Sequence, residues 1–137
     1  MSALDNILDW YTTLTPHSVG NVSQFYQSDA HFKDPFNDVR GVARIEAIFV
    51  HMFETTENPH FIIDQRIEQG QQAFVTWTFS FKFKGKEYSV AGGSHFIFDD
   101  QGFVTVHRDY WDAAEELFQK LPIIGAPMRW LRRRFAV

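Results

Sequence analysis

Apolar residues first recur at helical spacing. Leu4, Ile7, Leu8, Tyr11 and Leu14 fall three and four apart, one face of a helix, with Ser2 as N-cap and Asp5 three residues further on. Thr15-Pro16 reads as a second cap followed by proline at the first helical position, and Val19, Val22, Phe25 and Tyr26 give a second helical stripe. Ala30 to Asp34 predicts a short strand stopped by Pro35. The loop Phe36 to Gly41 leads into a third helix with Val42, Ile45, Ile48, Phe49, Met52 and Phe53 on one side, and Glu57-Asn58-Pro59 ends it.

The period then changes to two. Phe61 to Gln69 reads as a strand, Gly70 as a turn, and Ala73 to Phe83 as a second strand. In that second strand Trp77, Phe79, Phe81 and Phe83 share one face, with Thr76, Thr78, Ser80 and Lys82 on the other. Lys84-Gly85 is a hairpin signal, Tyr88 to Phe98 a third strand, Asp99 to Gly102 a turn and Phe103 to Trp111 a fourth strand. Ala113 to Leu121 reads as helical and Pro122 to Pro127 as a turn. Three helices, one early strand and a four-stranded meander predict a segregated α+β domain. A strongly curved antiparallel sheet can wrap the helices around a cavity. The competing arrangement is an open sheet with helices on one face and no cavity.

Composition narrows the class. At 137 residues the chain suits one domain, taken here as residues 1–137, and 45% hydrophobic against 22% charged residues is a globular balance. With no cysteine there is no disulfide, no thiolate nucleophile and no Cys-ligated metal. The six histidines lack ligand spacing, so neither a metal nor another cofactor is expected. No apolar run reaches the roughly 20 residues of a membrane span. Met1-Ser2-Ala3-Leu4-Asp5 does not open a signal peptide, and the expectation is a cytoplasmic protein. Fifteen Phe, four Trp and four Tyr supply apolar surface for a core or a pocket wall.

Charge is uneven. All 17 acidic residues precede position 129, whereas Arg129, Arg132, Arg133 and Arg134 crowd the last nine positions. The acidic body argues against nucleic acid as a partner. Residues 122–137 form a basic amphipathic segment, in which Pro127 can open a helix with Met128, Leu131 and Phe135 along one side. A membrane surface or an acidic partner is one destination for it; docking back onto the acidic body is the reading we prefer, because one short helix binds membranes only marginally.

The stretches Tyr26-Gln27-Ser28-Asp29-Ala30-His31-Phe32-Lys33-Asp34-Pro35, Val39-Arg40-Gly41, Gly93-Ser94-His95-Phe96 and His107-Arg108-Asp109-Tyr110-Trp111-Asp112 occur in an order that resembles the SnoaL-like branch of the nuclear-transport-factor-2-like superfamily. The resemblance spans nearly the whole chain. It implies a cystatin-like cone: a curved antiparallel sheet around three N-terminal helices, with an apolar pocket on the concave side. It also implies a homodimer through the outer sheet face. Activities in the superfamily range over ketosteroid isomerases, polyketide cyclases, limonene-type epoxide hydrolases and dehydratases, and some members catalyse nothing.

The resemblance also marks candidate residues. Asp34 matches the general base of the ketosteroid isomerases, although Asp-Pro equally suits a cap on the turn at Pro35 and Asn37. Asp109 matches the water-activating carboxylate of the epoxide hydrolases. Strand alternation puts His107, Asp109 and Trp111 on one face, so His107 and Asp109 form either an acid/base pair or a structural anchor. The isomerase tyrosine on the first helix falls at Trp10 or Tyr11, and the isomerase acid on the third meander strand falls at Ser94. The epoxide-hydrolase Arg and Asp are replaced by Val75 and Trp77, and its Tyr and Asn by Phe32 and Asp34. Neither catalytic set is complete.

The sequence therefore predicts a pocket for a small apolar or carbonyl-bearing molecule. Asp34, Asp109 and His107 are the candidate catalytic groups. Tyr11, Trp10, Phe32, Trp77, Phe79, Ser94 and Trp111 are candidate contacts, with Trp77 and Phe79 serving equally well as core. If there is catalysis, it is cofactor-independent proton transfer of the isomerase, cyclase, dehydratase or hydrolase type. The alternative is a non-catalytic binding or assembly subunit of the same fold.

Overall fold

A computed structural model describes residues 2–112. Helix α1 (Ala3–Thr12) starts on the expected box: the Asp5 N–H donates to Ser2 Oγ at 3.1 Å, and the Ser2 N–H donates to Asp5 Oδ2 at 3.0 Å. Leu4, Ile7, Leu8 and Tyr11 are buried, and Trp10 with them.

The second helix differs from expectation. Residues Ser18–Gln24 form a 3-10 helix, entered through mutual capping in which the Thr15 N–H donates to Ser18 Oγ at 2.8 Å and the Ser18 N–H to Thr15 Oγ1 at 3.0 Å. Val19, Val22 and Phe25 are three apart, which matches the three residues per turn of a 3-10 helix. Tyr26 leaves that stripe and begins strand β1 (Tyr26–Lys33). A tight turn, with Asp34 accepting from the backbone N–H groups of Phe36 and Asn37 at 2.8 and 2.6 Å, carries the chain into the short strand β2 (Asp38–Arg40). Helix α2 (Val42–Thr55) buries Ile45, Ile48 and Phe49.

Strand β3 (Glu57–Gln69) starts earlier than expected and contains Pro59. Two features admit the proline: β3 is the sheet edge, and the register shifts between Glu57 and His60, where Asn58 takes a positive φ of 50°. Strands β4 (Gln72–Phe83), β5 (Lys86–Phe98) and β6 (Val104–Tyr110) complete the meander. Lys84 and Gly85 both have positive φ, 52° and 78°, as a two-residue hairpin with right-handed strand twist requires.

The sheet order is β2-β1-β6-β5-β4-β3. Every neighbouring pair is antiparallel except β1–β6, which is parallel and brings Phe32 beside His107. Side chains of α1, α2 and the inner sheet face form one buried cluster. Among the described residues no helix is long and apolar enough to cross a membrane. The expected helix Ala113–Leu121, the turn Pro122–Pro127 and the basic segment 122–137 lie outside the described residues.

Candidate active site

Between the two α-helices and the inner sheet face lies a cavity of about 100 Å³. Its wall is mainly aromatic: Tyr11 from α1, Phe32 from β1, Phe36 from the following turn, Phe49 from α2, Phe61 from β3, Trp77, Phe79 and Phe81 from β4, and Trp111 past β6. Alternation along β4 aims Trp77, Phe79 and Phe81 inward, so these side chains are core at one end and pocket wall at the other.

Two carboxylates, Asp34 and Asp109, reach this cavity. Asp34 both caps the turn and lines the pocket; the two sequence-based alternatives coexist. Its Oδ1 takes the two backbone N–H groups of the turn, and the Asn37 side-chain amide lies 3.2 Å from each carboxylate oxygen. Burial, reinforced by the negative charge of Asp109, pushes the Asp34 carboxyl up to about 6 despite those donors.

Asp109 is wired differently. Its Oδ1 accepts from Ser94 Oγ at 2.5 Å and lies 2.7 Å from His107 Nε2. Ser94 Oγ accepts in turn from the Trp77 indole N–H at 2.8 Å, and His107 Nδ1 lies 2.6 Å from the Tyr26 hydroxyl. His107 and Ser94 are completely buried. The imidazole sits among Tyr11, Tyr26, Phe32 and Phe96, with ring centroids 6.0, 5.9, 4.7 and 4.5 Å away. Trp77 reaches Ser94 because Gly92 gives it room: a Cβ at Gly92 would stand 2.5 Å from the indole.

Tyr11 is 2% exposed, lines the cavity, and has no hydrogen-bond partner for its hydroxyl among the described residues. Burial first, then the charge of Asp109, push that hydroxyl well above the usual phenol range, so it stays a donor. An unpaired buried donor beside two carboxylates suits a ligand that carries an acceptor atom.

The expected residues thus divide. Tyr11, Phe32, Asp34, Trp77, Phe79, Asp109 and Trp111 line the cavity. His107 and Ser94 stand behind Asp109 and do not line it. Trp10 lies away from it: its indole N–H donates to the Ser18 carbonyl at 2.9 Å and its ring stacks on Phe25 at 5.0 Å. Helical spacing explains this, because consecutive residues on α1 point about 100° apart and only one of the two can face the pocket. Sequence reasoning missed Tyr26, read there as part of a helical stripe, and the polar wall residues His51, Thr55 and Thr56. A hydroxyl-bearing ring within an otherwise apolar stripe was the available signal. Among the described residues no cluster of three or more His, Asp or Glu side chains could hold a metal ion.

This arrangement defines an α+β cone with an acidic, aromatic-walled pocket. The sequence profile of the SnoaL-like domain matches residues 7–107, and the chain belongs to that family. Solved structures of the nuclear-transport-factor-2-like superfamily share the fold. A protein of unknown function from Burkholderia pseudomallei superposes with a TM-score of 0.74 at 16% identity over 100% of both chains. An LEH-like epoxide hydrolase from M. tuberculosis gives 0.71 at 19% identity, over 85% of this chain and 86% of that one. A hypothetical protein with a ketosteroid-isomerase-like fold from Catenulispora acidiphila, solved with trimethylamine, gives 0.68 at 18% identity, over 80% and 85%. None of the curated proteins matches the chain significantly.

Proposed function

We propose that the protein binds a small carbonyl-bearing molecule and moves a proton on the carbon next to that carbonyl. The observation that carries this reading is the convergence of Asp34, Asp109 and the unpaired Tyr11 hydroxyl on one apolar cavity. Asp109 takes the proton as base. The C–H electron pair moves toward the carbonyl oxygen, which accepts a hydrogen bond from Tyr11. Asp34, raised to about 6, is protonated about one time in ten at pH 7 and can return a proton to the same or a neighbouring carbon. The result is isomerisation or, where a leaving group or second carbonyl is present, dehydration or ring closure. A cavity of about 100 Å³ favours a single small ring, since drug-sized ligands occupy roughly 300 Å³ or more.

A second reading, non-catalytic ligand binding, has one observation in its favour. Ser94, at the position where an isomerase places its second oxyanion donor, already donates to Asp109 and cannot reach a ligand. One experiment separates the two. The protein is incubated in D₂O with a series from cyclobutanone to cyclohexanone, and α-proton exchange is followed by NMR. Exchange above the buffer rate, lost in Asp109→Asn, supports catalysis. Binding of a ketone, read by Trp fluorescence, without exchange of any member of the series supports the second reading and overturns the first.

The homodimer remains our proposal for the outer sheet face, where Ile62 and Tyr110 are 52% and 45% exposed. A monomer mass by light scattering at micromolar concentration would overturn it.

A further inference from the structure

We propose that Tyr26 is a positioning residue that holds His107 in a single neutral tautomer, so that His107 and Ser94 both donate to Asp109 Oδ1 and Asp109 meets the ligand through Oδ2. The proposal rests on the reading of Asp109 as the proton-transferring group and adds how its state is set.

The chain of contacts is Tyr26 Oη to His107 Nδ1, His107 Nε2 to Asp109 Oδ1, Ser94 Oγ to Asp109 Oδ1, and Trp77 Nε1 to Ser94 Oγ. Trp77 can only donate, and a carboxylate can only accept. Ser94 therefore accepts from the indole and donates to Asp109. Tyr26 is 1% exposed, and its hydroxyl has no other partner among the described residues. Its proton must point at His107 Nδ1 or be lost to hydrogen bonding, a cost of about 1–3 kcal/mol for a buried group. If Nδ1 accepts, it carries no proton, and the imidazole proton sits on Nε2, aimed at Asp109. An imidazolium would place hydrogens on both nitrogens and strand the phenol proton. Only one arrangement satisfies every member, and both donations end on the same carboxylate oxygen. Among the described residues Asp109 Oδ2 has no hydrogen-bond partner, and it is the oxygen left for the cavity. Burial keeps the Tyr26 hydroxyl protonated well above the usual phenol range, which is consistent with its role as the first donor.

The test is ¹⁵N NMR of histidine-labelled intact protein, read together with ketone exchange. The wild-type His107 should show a protonated Nε2 and a bare Nδ1 at neutral pH. In Tyr26→Phe the tautomer should become mixed, and the exchange kcat should fall about 10-fold to 100-fold with little change in KM. That is a milder loss than the roughly 10⁴-fold seen when a triad histidine is forced into the wrong tautomer. Ser94→Ala removes a donor from Oδ1 without touching His107, and should leave the tautomer as in wild type. An imidazolium or an Nδ1–H tautomer in the wild type overturns the proposal, as does an unchanged His107 spectrum in Tyr26→Phe. A wild type with the expected tautomer but no exchange of any ketone would instead overturn the catalytic reading and leave the wiring intact.

Discussion

Two of the His–Asp pairs among the described residues are built from the same atoms. At the sheet edge, His31 Nε2 lies 2.5 Å from Asp38 Oδ1, with side chains 29% and 59% exposed. In the core, His107 Nε2 lies 2.7 Å from Asp109 Oδ1, with side chains 0% and 10% exposed. The shorter contact is the less consequential one. Water can replace either partner at the edge, where the hydrogen bond to His31 lowers Asp38 below its ordinary value without committing any other group. In the core every remaining donor and acceptor has to be supplied by protein, so the pair recruits Tyr26, Ser94 and Trp77. Surroundings, and not contact length, decide which pair constrains the fold.

Removing the imidazoles tests that contrast most strongly. His107→Ala should cost about 3–5 kcal/mol in urea denaturation, since it opens a cavity among four aromatic rings, orphans Tyr26 and takes one of two partners from Asp109 Oδ1. His31→Ala should leave the urea midpoint unchanged within error; an equal loss at both sites would end the comparison. Next comes the support for the core network. Gly92→Ala should cost about 1–3 kcal/mol and shift the Trp77 fluorescence, because the new methyl would stand 2.5 Å from the indole and 2.8 Å from the Tyr110 carbonyl oxygen.

The carboxylates sharpen the contrast further through pH. Asp34 titrates at about 6 when folded and near 3.8 when unfolded, so the folded state holds the extra proton between those values. Its contribution to stability is present below about pH 4 and lost as pH rises through 6, about 3 kcal/mol in all. Asp34→Asn should flatten that part of the stability profile, measured as the wild-type-minus-variant difference. Asp5 has the opposite sign. Held at about 2, chiefly by the hydrogen bond from Arg66 at 2.6 Å, it contributes stability above pH 4 that fades as pH falls toward 2. Arg66→Ala should remove that acid-side slope by lowering the melting temperature slightly at pH 7 and leaving it unchanged near pH 2, the smallest effect here.

Much of this was legible in the sequence because strand period is a local property. The inward row Trp77, Phe79, Phe81 and the turns at Gly70, Lys84-Gly85 and Asp99–Gly102 lie where alternation and turn chemistry put them. Asp34 and Asp109 lie on the cavity wall, as the quoted motifs imply. The losses occurred where one spacing fits two structures. Val19, Val22 and Phe25 satisfy a 3-10 helix as well as an α-helix, and reading Tyr26 into that stripe hid the residue that contacts His107. The three residues of β2 are too few for a period, and Pro59 masked the start of β3 because a bulge cannot be seen without its partner strand. Which atoms of Ser94 and His107 meet Asp109 depends on pairing between β5 and β6, which no local pattern encodes.

The parallel pairing of β1 with β6 has a consequence for biosynthesis. Tyr26 and His107 are separated by 81 positions and meet through that late-made strand. A nascent chain halted before residue 104 can form α1, α2 and the β3–β5 hairpins, yet it lacks His107 and Asp109, the two residues on which the buried wiring converges. Closure of the pocket is therefore a late, long-range event with a correspondingly large loop entropy, and truncated products would expose an aromatic inner face to chaperones and aggregation.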